Sequence, residues 1–116
     1  MKADREYILY LEDMIVSIDR ILDYTKSYNY YSFINDQKTI DAVTMNFANI
    51  GEATKNIPTE IKDKYNSIPW KQMYGLRNYV SHEYFGVSLE TIWQIIENDL
   101  KENKKDIEAI LIDLKK

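Results

Sequence analysis

Apolar residues in this chain recur at steps of three and four along nearly its whole length, and that period commits the chain to helices. Tyr7, Leu11, Met14, Ile15, Ile18, Ile21 and Leu22 mark a first amphipathic helix over residues 4–26. Ile40, Val43, Phe47, Ile50 and Ala53 mark a second over residues 36–56, which Pro58 ends. The stretch between them, SYNYYSFIND, reads as a connector with one short helical turn around Ser32–Ile34. Two Ile-Pro steps follow, each suited to the first turn of a new helix. The first predicts a short helix through Tyr65, and the second a helix over residues 69–84. Gly86 interrupts the pattern, and Ser88 can cap a last helix over residues 88–113, with a bend or frayed stretch at ENDLKENKKD. No segment alternates with period two for the length of a strand. The expected fold is all-α, an up-and-down bundle of four main helices and a short extra one.

Composition agrees with that architecture. Only three glycines and two prolines punctuate 116 residues, and 45% of the chain is apolar, enough for one real core and too little length for two. Residues 1–116 are therefore read as a single domain. The chain has no cysteine and one histidine, which excludes disulfides, thiolate metal sites and multi-histidine metal sites within one chain. No apolar run reaches membrane-spanning length and the first residues do not resemble a signal peptide, so a soluble cytoplasmic protein with no membrane role is expected. The net charge of −4 restricts any grip on RNA to a local positive patch.

The single histidine, His82, falls in GLRNYVSHEY, with Arg77 five residues before it and Tyr84 two after. On an ideal helix Arg77 and His82 stand about 140° apart, off the same face, while Arg77 shares a stripe with Tyr74 and Tyr84. Residue types alone leave two readings open. His82 is either a favourable partner for a helix C-terminus or part of a reaction centre, and Arg77 either pairs with an acid such as Glu52 or Glu83 or holds an anion.

The segment GLRNYVSHEYFGV resembles the signature of the HepT-like family within the HEPN superfamily: arginine, four residues, histidine, one residue, tyrosine. Arg77, His82 and Tyr84 fit it without gaps, and Asn78 supplies the polar residue after the arginine. NIGEATKNIP at 49–58 and IPWKQMYGLRN at 68–78 resemble further segments of that family, so the similarity runs in order over residues 4–114. The resemblance implies a HEPN-like homodimeric bundle. It implies the toxin of a toxin–antitoxin pair, a ribonuclease needing no metal or other cofactor, whose partner is an MNT-type nucleotidyltransferase antitoxin that adds AMP to the motif tyrosine. Carried over residue by residue, Arg77 and His82 become catalytic, Asn78 an orienting residue and Tyr84 the modified side chain; Glu52 and Ser81 are candidate supporting residues.

Elementary chemistry is compatible with that assignment. RNA carries its own nucleophile in the 2′-hydroxyl, which a histidine can deprotonate near neutral pH. An arginine fork can hold the phosphate and stabilise the charge that develops on it. Glu52 either bonds Arg77 or the motif helix, or is a solvated helix residue. Gly51 permits close helix packing. Trp70 and Trp93 are expected as core anchors, the tyrosines at 24, 28, 30 and 31 as caps of the bundle end, and the charged run at 101–106 as a solvated face. The rival reading is a catalytically weak helical module whose main work is to bind a nucleotidyltransferase.

Overall fold

A computed structural model describes residues 2–81 and 88–115 of the chain. Among them there is no strand, and the all-α expectation holds. Three long elements build the bundle: α1 (Lys2–Thr25), α3 (Gln37–Lys55) and α8 (Leu100–Leu114). The short α2 (Tyr30–Ile34) links the first two, α4 (Thr59–Lys64), α5 (Trp70–Gly75) and α6 (Asn78–Ser81) follow α3, and α7 (Leu89–Asn98) precedes α8. The periodic apolar residues are the ones buried. Leu11, Met14, Ile18 and Ile21 from α1 meet Val43, Phe47 and Ile50 from α3, with Ile107 and Ile110 of α8 closing the core. Each such side chain contributes about 1.5–3 kcal/mol by leaving water.

Local chemistry sets the helix ends. Asn29 and Ser32 form a reciprocal capping box that starts α2. The Asp36 carboxylate accepts from the Thr39 backbone N–H at the start of α3, and the Ser88 hydroxyl accepts from the Thr91 N–H at the start of α7. Asp36 also accepts from the Tyr28 and Thr39 hydroxyls, and these bonds, Tyr28 foremost, hold its carboxyl below the ordinary range. Tyr28 thereby fastens the connector, as expected of a bundle cap, whereas Tyr31 is 73% exposed. Trp70 and Trp93 are buried, Trp93 against Phe33 and Trp70 with its indole N–H donating to the Tyr65 carbonyl.

One helix differs from the sequence expectation. The segment expected as one helix over 69–84 is interrupted at Leu76–Arg77, between α5 and α6. At this point α3 comes close at Gly51, and Gly75, a weak helix former, stands just before the break. The last helix divides at Asp99, within the charged stretch where a bend was expected.

The Tyr65 hydroxyl donates to Asp113 of α8, and that hydrogen bond, first among its causes, pushes the tyrosine up to about 12 from 10. A pKa raised on folding adds stability that is intact below pH 10 and is lost as pH climbs to 12. Melting curves across that window should fall more steeply for the native chain than for Tyr65→Phe, which lacks the titrating hydroxyl. Parallel curves for the two proteins would show that the bond to Asp113 contributes nothing.

Candidate active site

Arg77 sits in the two-residue break that ends α5. Its backbone N–H reaches back to the Tyr74 carbonyl at 3.4 Å, and the Tyr79 N–H to the Leu76 carbonyl at 3.2 Å, so the chain tightens into short turns there. Trp70, Met73 and Leu76 are buried and fix α5 to the core. Tyr79 lies edge-on to Phe47 of α3, with ring centroids 5.6 Å apart, and fixes α6. The turn is thus clamped from both sides by apolar contacts.

Gly51 of α3 makes the close approach possible. A Cβ at this position would lie 2.7 Å from the Arg77 nitrogen and from the Tyr74 carbonyl oxygen, and 2.8 Å from the Arg77 Cβ. Two of these neighbours are backbone atoms, which cannot rotate aside.

The guanidinium of Arg77 is held at its head as well. Its Nη1 donates to the Tyr74 hydroxyl at 2.9 Å and lies 3.5 Å from the Glu52 carboxylate. Its carbon stands 5.2 Å from the centroid of the Tyr74 ring. Side-chain exposures of 35% for Arg77 and 55% for Glu52 leave the pair open to water, so it adds about 0–1 kcal/mol to stability. Its effect is orientation: the planar fork is held in one direction.

Of the residues singled out in the sequence, Glu52 and Arg77 are brought together. Asn78 is exposed at the start of α6, next to Arg77, and Ser81 ends α6. His82 and Tyr84 lie outside the described residues. The stripe expected to join Arg77 and Tyr84 runs into residues 82–87, outside the described residues. Tyr74 was noted only as a neighbour on that stripe, and its role in holding Arg77 was missed. The i, i+3 spacing of Tyr74 and Arg77 signals their proximity but not the hydrogen bond.

The family model of "Ribonuclease HepT-like" matches residues 14–110, a span that contains Glu52 and the whole Arg77–Tyr84 motif. The chain belongs to the HepT-like ribonuclease family. "Putative RNase MJ0125" of Methanocaldococcus jannaschii is 38% identical over 110 residues, covering 95% of each chain. "Probable ribonuclease HepT" of Thermococcus cleftensis is 36% identical over 101 residues, covering 87% of this chain and 92% of that protein. No solved structure matches. The match covers the arginine that Gly51, Glu52 and Tyr74 hold in place. Among the described residues no helix is long and apolar enough to cross a membrane.

Proposed function

We propose that this chain is the toxin of a HepT–MNT type toxin–antitoxin pair, a cytoplasmic endoribonuclease that cuts RNA without a metal ion. The observation that supports it best is the motif itself within the matched span, with its arginine pre-oriented by Glu52 and Tyr74. Arg77 holds the scissile phosphate. His82 takes the proton of the 2′-hydroxyl, whose oxygen attacks phosphorus. The bond to the 5′-oxygen breaks, leaving a 2′,3′-cyclic phosphate and, once a general acid supplies a proton, a free 5′-hydroxyl. Asn78 orients the phosphate or the histidine, and Ser81 supports the motif from the end of α6. A homodimer places a second motif within reach, and its groups can supply the general acid that one histidine cannot be at the same moment.

The nucleotidyltransferase partner silences the site by adding AMP to the Tyr84 hydroxyl. The added phosphate competes for Arg77 in place of RNA, and the nucleoside blocks the groove.

Purified protein should therefore cleave RNA in the presence of EDTA, and His82→Ala should lose about 10²–10⁴ of that rate. Co-expression with the nucleotidyltransferase should yield AMP on Tyr84 by mass spectrometry, and Tyr84→Phe should keep cleaving while resisting silencing. Cleavage lost in chelator and restored by magnesium would overturn the metal-free route. AMP on another residue would overturn the role of Tyr84. A chain that binds the nucleotidyltransferase but cuts no RNA would be the helical interaction module instead.

A further inference from the structure

A cavity of about 290 Å³ opens between α5 and the junction of α7 with α8. This is at the small end of ligand pockets, which run to roughly 300–1,000 Å³, and suits one ring system better than a stretch of strand. Met73, Leu76 and Ile95 give it apolar walls, while Gln72, Asp99 and Asn103 place polar groups in its lining.

Asp99 stands at the break between α7 and α8, yet its side chain makes no capping hydrogen bond to α8. Asn103 is only 7% exposed as a residue and lines the cavity. Its amide can donate to and accept from a ligand that takes the place of cavity water.

We propose that this cavity is the base-recognition subsite of the ribonuclease and that it takes guanine. The inference rests on the proposed reading that the Arg77 turn handles RNA. Leu76 and Tyr79 line the cavity and flank Arg77 and Asn78 in the chain, so the cavity adjoins the turn. The Asp99 carboxylate only accepts hydrogen bonds and repels phosphate, so the occupant must donate. Guanine presents N1–H and N2–H side by side, matching two carboxylate oxygens, and its O6 can accept from the Asn103 amide. Adenine and cytosine set an amino group beside an acceptor nitrogen, which would meet the second oxygen lone pair to lone pair. Uracil offers one N–H between two carbonyls. Single-stranded RNA is read on these edges while its ring faces pack on side chains, here Met73, Leu76 and Ile95.

The four nucleoside monophosphates, titrated into the full chain and followed by NMR, test the subsite without relying on catalysis. GMP should bind about tenfold or more tightly than AMP, CMP or UMP and shift the Asn103 side-chain amide and the Met73 methyl. IMP, which lacks the N2 amine, should lose most of that advantage. Asp99→Asn should erase the preference with an unchanged melting temperature, and Asn103→Leu should weaken GMP as well. Equal binding of the four nucleotides, absence of binding, or shifts elsewhere on the protein would overturn the guanine subsite even if the chain cuts RNA. Selective GMP binding by a chain that cuts no RNA would sustain the subsite and sink the ribonuclease reading beneath it.

Discussion

Alanine at position 51 should lower RNA cleavage far more than it lowers stability. The new Cβ meets the backbone nitrogen of Arg77 and the carbonyl oxygen of Tyr74 at 2.7 Å, so α3 and the turn must move apart. Overpacking of this kind costs about 1–3 kcal/mol. Alanine returns up to about 1 kcal/mol through its better helix propensity. The net loss of stability is therefore expected to be about 0–2 kcal/mol. The displacement, however, falls on the residue proposed to hold the phosphate, and a misplacement near 1 Å can cost about 10²-fold in rate. Thermal melting and single-turnover cleavage on the same preparation separate the two effects. A Gly51→Ala protein with the native rate would show that the close approach does not set the position of Arg77. Gly75 provides the stability contrast. A Cβ there meets nothing within 4 Å, so Gly75→Ala should be no less stable than the native chain.

Removing the guanidinium itself should have the larger effect. Arg77→Ala is expected to slow cleavage by about 10²–10³, the loss seen when one donor to a developing charge is deleted. Arg77→Lys should recover little of it, because an ammonium on a flexible stem can neither form the two-pronged contact nor use the Tyr74 platform in the same way. Melting temperatures of both variants should stay close to native, since the Glu52 pair is exposed and adds little. A lysine variant with native activity would mean that positive charge alone suffices, and that the orientation given by Tyr74 and Glu52 is irrelevant to the reaction.

The helices were legible in the sequence because each buries a stripe with its own period. Ile40, Val43, Phe47 and Ile50 on α3 are the clearest case, and all four are buried. The caps at Asp36 and Ser88 obey local chemistry and could be anticipated residue by residue. The break at Leu76–Arg77 could not. No proline marks it, and the apolar spacing of Met73, Leu76 and Tyr79 is compatible with an unbroken helix. It coincides with the close approach of α3 at Gly51, a contact between residues far apart in sequence. Periodicity is blind to such contacts. For the same reason the role of Glu52 stayed open between a solvated residue and a partner of Arg77 until the two helices were placed side by side. Tyr74 was hidden differently: its ring belongs to the stripe around Arg77, but nothing in the stripe says that its hydroxyl holds the guanidinium.

Gly51 and Glu52 are consecutive on α3 and govern two ends of one distant residue, its backbone and its charged head. The reactive signature is thus not portable by itself. An Arg-x4-His-x-Tyr segment transplanted onto another helical bundle would carry the side-chain types without the surface against which the arginine is set. A designer would have to graft two stretches together, the turn and the glycine–acid pair facing it, and keep the separation of the two helices at which that glycine just fits. The same dependence identifies a way for a sequence to keep the motif and yet lose the site: a bulkier residue on the facing helix, at a position that no motif search inspects.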